Sequence, residues 1–459
     1  MLSAPVAADY TSPHMDAPSF ITAQLLVSVV VILAVVHLVL VLAGYCTYFE
    51  RKVSAYIQDR IGPNRVGFDL NLPALWFLKG LWGLGQPLAD GLKFMLKEDY
   101  RPRGADKILF SLGPIACVIP ALIGFAIIPW GGTVEVPSFT IPLLNWHVEG
   151  GPCVVAGAPV NIGVIYLLAV GSLSIYGITL AGWASNNKYS FLGALRASAQ
   201  MISYEIPLGL CLLTVLLLTG SLLPEKIIEH QAAHGWLVLA HPIAAVLFFT
   251  CVLAECNRTP FDNAECEQEL VGGYHTEYGA MRWALFFLAE YSHMITSSAF
   301  FALLFLGGYH LPLGVEHHLL TPEATGVLAM LLKFHVFLAK VLALIFLMML
   351  VRWSIPRLKF DQIMAVAWQG MIPISLVIVV GTAVLVHTGR SSTLWMLAFN
   401  VALAAAIYIL LPLMPRATGN KRVRLAGSRW YPAVGEAVRT RSNDPRALED
   451  RPYEGSLPV

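Results

Sequence analysis

The chain has 459 residues, 57% of them hydrophobic and 13% charged, with a mean hydropathy of +0.66. That balance excludes an ordinary water-soluble globule and predicts an all-α polytopic membrane protein. The formal net charge of +1 says little about partners, because the placement of charge along the chain matters more than its sum.

In chain order, residues 1–19 carry no Lys or Arg. They lack the positive region of a cleaved signal peptide and are expected to form a periplasmic N-terminal segment. Nine apolar stretches of about 20 residues are expected to span the membrane: 21–46, 107–130, 161–183, 198–221, 238–256, 280–308, 327–351, 362–387 and 393–414. The chain then divides into an eight-helix core over 20–387, an additional helix over 388–415 and a basic tail over 416–459. The segment 73–97, with Trp76, Phe77, Leu81 and Trp82 set against Lys79, Asp90, Lys93 and Lys97, reads as an amphipathic helix lying on the membrane surface.

Lys and Arg set the orientation. They crowd the loop after the first span (Arg51, Lys52, Arg60, Arg65 and onward to Lys107), recur at Lys188, Arg196, Arg352, Arg357 and Lys359, and fill the tail, whereas 131–160 and 309–326 have none. Nine crossings then put the N-terminus outside and the tail in the cytoplasm. Lys226 and Arg390 are the minor exceptions. The seven cysteines form no C-x-x-C pair, so no metal or iron–sulfur site is expected on this chain.

Three constellations carry chemistry. In Glu50–Gly67, the turn Ile61-Gly62-Pro63-Asn64 would hold Arg60 and Arg65 in fixed places, although positive-inside statistics alone could put any one arginine there. In Gly85–Phe94, Asp90 and Lys93 are three apart and share a helix face. Between Cys256 and Tyr278, Asp262, Glu265, Glu267, Glu269 and Glu277 stand against one base, Arg258. Some acids this crowded near lipid are expected to hold raised pKa values and to exchange protons near neutral pH.

Further ionisable groups fall in or at the ends of spans: Glu205, Glu255, Glu290 with His293, and Lys340. Each alone could be a structural ion pair; together they suggest a polar path. There is no Walker loop, no G-x-G-x-x-G and no H-E-x-x-H. Neither nucleotide nor flavin is expected on this chain, and no nucleic acid as a partner.

These motifs together resemble one family of membrane proteins, the H subunit (also numbered 1) of NADH:quinone oxidoreductase, respiratory complex I. The resemblance is carried by Glu50–Gly67, Gly85–Lys93, Lys188–Glu205, Ala254–Tyr278, Phe286–Tyr291 and Pro356–Gln362. It implies a coupling subunit that forms the entrance of a ubiquinone or menaquinone tunnel, with iron–sulfur clusters and flavin on partner subunits of the peripheral arm. Other membrane-arm subunits and lipid would be its remaining partners, in a bacterial inner membrane. Carried over by position, Glu50, Arg51, Arg60, Asp90, Lys93, Phe261 and Asp262 match tunnel or interface positions. Glu205, Glu255, Glu265, Glu267, Glu269, Glu277 and Glu290 match a proton relay, with Lys340, Arg196 and Arg258 as basic positions near it. The family core has eight spans, so the ninth helix and the tail lie outside the resemblance. Two rivals remain open: an anchor protein of a related membrane-bound hydrogenase, and a stand-alone secondary transporter.

Overall fold

The computed structural model describes residues 15–16, 22–68, 79–141, 146–311 and 320–410. Helix α1, Ala23–Ile57, opens where the Thr22 hydroxyl accepts from the Leu25 N–H at 3.2 Å. It runs eleven residues past the expected end at 46. No proline interrupts it, and the backbone turns left-handed only at Asp59 and Gly62. Glu50 and Arg51 therefore sit on a helix rather than in a loop. After the segment 69–78, which lies outside the described residues, Lys79 to Gly85 make turns, and α2 spans Gln86–Leu96. The described part of the amphipathic helix expected over 73–97 is thus its second half.

Helix α3, Lys107–Ile123, is capped by Asp106, which accepts from the Ile108 and Leu109 N–H groups at 2.9 Å each. The third expected span is two helices, α4 (Gly163–Ser172) and α5 (Ser174–Ala184), broken at Leu173. Helix α6, Lys188–Thr219, begins ten residues before the expected 198, because Asn187 caps it through the Tyr189 N–H, and it ends at left-handed Gly220. Then follow α7 (Pro224–His234), α8 (Leu237–Ala240), α9 (Pro242–Glu255), the short α10 (Glu267–Leu270) and α11 (Ala280–Phe305). Helices α12 (Val327–Ser354), α13 (Phe360–Ala365), α14 (Ile372–His387) and α15 (Thr393–Leu410) follow, with a π-helical turn, Val366–Met371, joining α13 to α14.

Each of the nine expected spans contains helix, and among the described residues seven helical stretches are long and apolar enough to cross a membrane. The other two expected spans fall short for different reasons. Helix α9 has 14 residues, about 21 Å against a hydrocarbon core of about 30 Å. Helix α11 has the length, at 26 residues, but carries Arg282, Glu290 and His293. The protein is an all-α polytopic membrane protein. The segment 131–160, expected as a plain loop, instead forms short strands. There β2 (Thr133–Val136) pairs antiparallel with β5 (Gly151–Val154), while β4 (Trp146–Val148) lies between β1 (Met15–Asp16) and β3 (Phe139–Ile141). The Gln24 side chain binds both backbone groups of Val154, donating at 3.0 Å and accepting at 2.8 Å, which ties the start of α1 to the strands.

The core nearest the acidic segment packs α3, α5, α6 and α11 around Phe110, Ile178, Tyr274, Tyr278 and Phe286. Phe110 and Tyr278 stack with ring centroids 4.0 Å apart. Small residues allow the close approach: a Cβ on Gly113 of α3 would lie 2.9 Å from that of Ala181 on α5. Two compact units partition the chain, Met1–Val401 and Ala402–Val459; of the second, only 402–410 are described, as helix. The expected basic tail and the N-terminal segment 1–14 lie outside the described residues.

Candidate functional site

Glu50 is the hub. It is 6% exposed and takes two bonds from Arg258 Nη1, at 3.1 and 3.3 Å, together with Arg352 Nη1 and the Tyr291 hydroxyl, which donates. The Arg258 guanidinium lies 4.2 Å from the Tyr291 ring centroid. A buried carboxylate survives only with such partners. Arg258 is also buried, and its Nε and Nη2 have no partner among the described residues, so Glu50 is its main compensation.

Glu50, Tyr291 and Arg352 line a cavity of about 890 Å³ between α1, α2, α11 and the end of α12. Its walls are largely apolar, with Phe94, Trp283, Phe287 and Trp353 prominent. Arg51, Asp90 and Lys93 line it too. Asp90 pairs with Arg51 at 2.7 Å and Lys93 at 3.7 Å. Arg60 and Phe261, matched to the same region by sequence, are not among the lining residues. Arg60 sits on the exposed turn after α1. Phe261 is buried against Tyr204, ring centroids 5.2 Å apart.

One residue before Tyr291, Glu290 belongs to a second cluster. The Tyr274 hydroxyl bridges Glu265 at 3.0 Å and Glu290 at 3.4 Å, and His275 Nε2 lies 3.4 Å from Glu265. Asp262 pairs with Arg357 at 2.7 Å. The electrostatics of this segment divide. Burial, then the charge of Glu265, push Asp262 up to about 6 against the pull of Arg357 and Arg352. Burial also pushes Glu265 up, but hydrogen bonds from His275, Glu290 and Tyr274, with the His275 charge, outweigh it and hold Glu265 at about 2. Burial lowers His275, yet Glu265 prevails and raises it. Asp262 is thus raised, as expected of some of these carboxylates, whereas partners that the sequence did not reveal hold Glu265 low.

From Glu290 a small cavity of about 30 Å³ reaches Glu255 and His293, and another of about 30 Å³ continues past them along α4. Each has room for a water and polar groups to hold one. His293 Nε2 lies 3.2 Å from Glu255 but off line for a hydrogen bond. Glu255 Oε1 lies 3.2 Å from where a Cβ on Gly171 of α4 would stand, and the neighbouring Ser172 hydroxyl donates to Glu205. The last two residues of α4 thus each approach one acid, Gly171 beside Glu255 and Ser172 at Glu205.

The other matched residues lie apart. Glu269 makes an exposed pair with Arg196 at 2.5 Å, and Glu277 accepts from Asn187 at 2.5 Å. The Glu267 side chain lies outside the described residues. Lys340 is not brought to the acids: its ammonium donates to the carbonyls of Leu306, Gly308 and His310 at 2.7, 2.7 and 2.5 Å, beyond the end of α11. Sequence reasoning missed Tyr274, His275, Tyr291 and Ser172, and read Arg352 and Arg357 only as topological charges. Tyr274 and His275 lie inside the acidic segment and Tyr291 beside Glu290, so a hydroxyl or imidazole next to a flagged acid was the available signal.

The profile of the NADH dehydrogenase family matches residues 29–383. A Cytophaga hutchinsonii protein, the first of its NADH-quinone oxidoreductase H subunits, is 42% identical over 79% of this chain and 97% of its own length. Its namesake in Geobacter sulfurreducens is 44% identical over 77% of this chain and 93% of its own. The chain belongs to the family of NADH-quinone oxidoreductase H subunits. It is a membrane-embedded component of that enzyme. A Flavobacterium psychrophilum member of the family is 41% identical over 77% of this chain and 95% of its own length. The matched segment contains every residue of the two clusters and the cavity, and stops before α15.

Proposed function

We propose that this chain admits quinone from the membrane into the large cavity and passes the protonation change of quinone reduction into the buried acids. The observation that carries the reading is the pair Glu290–Tyr291. Adjacent residues of α11 face different sites, Tyr291 the cavity and Glu50, Glu290 the Glu265–Tyr274 cluster. A cavity of this size, with apolar aromatic walls and charged groups such as Glu50 and Arg352 in its lining, suits an amphiphilic ring with a hydrocarbon tail. A unit charge 4 Å away at an effective dielectric of about 20 is worth about 4 kcal/mol, and about 1.4 kcal/mol moves a pKa by one unit. Charge or proton demand on a reduced ring beside Glu50 is therefore strong enough to shift protons among the acids behind it.

In this reading the redox cofactors sit on partner subunits, which dock on the face carrying the acidic segment and the exposed Tyr56, Ile57, Leu96 and Tyr100. That face is cytoplasmic, the membrane is the bacterial inner membrane, and α2 lies at its surface. Glu290, Glu255 and Glu205 carry the proton signal onward. The reading is tested in the assembled complex by Leu288→Trp, which fills the cavity wall. The KM for quinone rises about tenfold, equivalent to about 1.4 kcal/mol, while NADH oxidation by a water-soluble acceptor is unchanged. An unaltered KM overturns it.

A further inference from the structure

The family match ends at residue 383, and α15 begins at Thr393, so nothing in that match assigns the ninth helix a role. The helix is apolar and carries a single amide side chain, Asn400. Only two of its described residues, Met396 and Asn400, are buried, and both are fully so. The amide lands on a specific place. Asn400 Nδ2 lies 3.2 Å from the Ala240 carbonyl, 3.0 Å from His241 Nδ1 and 2.9 Å from the Met396 carbonyl of its own helix.

Ala240 and His241 are the break between α8 and α9. The His241 backbone leaves helical geometry, at φ −128° and ψ 65°, and Pro242 opens the next helix without an N–H. Carbonyls at a helix end have no partner within their own helix, and in an apolar layer no water supplies one. Asn400 gives the Ala240 carbonyl and the His241 ring their donor. Two further contacts fix the register. The Phe399 ring occupies the volume that any Cβ on Gly381 of α14 would need, and the Thr393 hydroxyl donates to the His234 carbonyl at the end of α7, at 3.2 Å.

We propose that α15 is a tethered docking helix whose Asn400 plugs the α8–α9 break, making Ala240–His241 with Gly381 a helix-binding site occupied by the chain's own ninth span. The five-residue link 388–392 keeps the helix at high local concentration, so a few specific contacts suffice to seat a lightly packed helix. Helix α9 ends at Glu255, so the plug braces from outside the family core the short helix that positions that acid.

A double-mutant cycle in the full-length protein tests this, using Asn400→Leu, His241→Phe and the pair together. Each single change lowers the thermal midpoint by a few degrees, and the double change lowers it no further than the worse single. In Asn400→Leu, amide exchange over 237–246 speeds up while 280–305 stays as it was. Should Asn400→Leu fail to accumulate, Gly381→Val displaces Phe399 instead and must expose the same 237–246 segment. Shifts that simply add, or unchanged exchange over 237–246 in the variant that folds, overturn the proposal.

Discussion

At the scale of single residues, burial decides which charge pairs matter. Glu50 and Arg51 are neighbours on α1 with opposite fates: Glu50 is enclosed among Arg258, Arg352 and Tyr291, whereas the Arg51 side chain is 51% exposed. Glu50→Ala would strand Arg258, already short of partners, and should destabilise the chain by about 3–5 kcal/mol. Arg51→Ala should cost less than about 1 kcal/mol. Denaturation of the two purified variants side by side checks the contrast, and equal losses would refute it.

His275 adds a pH-dependent contribution. Its folded pKa is raised by Glu265, so the stability from this pair is fully present below the ordinary histidine value of about 6.5 and is lost as pH rises through the folded value. The stability difference between the native chain and His275→Gln should therefore be larger at about pH 6 than at about pH 9. A difference that grows with pH would contradict the assignment. None of this pairing was legible in the sequence, because Glu265 and His275 are ten apart in a segment with no periodicity to bring them together.

At the scale of elements, the sequence was a good guide to where helices lie and a poor one to where they stop. Apolar length marked the spans, but α1 and α6 extend into polar sequence because distant partners and a local cap satisfy it. Asn187 was readable as a cap; Arg258 and Arg352 meeting Glu50 were not. Helix α9 is short because a histidine and a proline interrupt an otherwise continuous apolar run. Close packing of elements also positions the acid cluster. On α6, a Cβ at Gly193 would come within 2.7 Å of the Gly273 Cα and the Tyr274 N. Gly193→Val should push Tyr274 off its bridge between Glu265 and Glu290 and impair proton translocation. Gly209→Ala, with its nearest neighbour at 4.0 Å, should be tolerated. Proteoliposomes containing the two assembled variants distinguish them, and equal pumping would count against Tyr274 as a fixed bridge.

At the scale of the whole molecule, the fold class and family were readable from hydropathy and a few dense motifs, while the connectivity of the ionisable groups was not. Lys340 shows the difference. A lysine in an apolar helix suggested membership of the acid path, yet three backbone carbonyls hold its ammonium at the opposite end of α11. Conversely, the end of α4 places Ser172 at Glu205 and Gly171 beside Glu255, a proximity to two acids that no motif announces. The proposed relay runs from the cavity at Glu50 and Tyr291, through Glu290 and Glu255, to Glu205. The most direct measurement is the number of protons translocated per NADH oxidised by the assembled complex carrying Glu205→Gln, in sealed liposomes with saturating quinone. The relay predicts that quinone reduction continues while the proton count falls. A normal proton count alongside normal quinone reduction would contradict it.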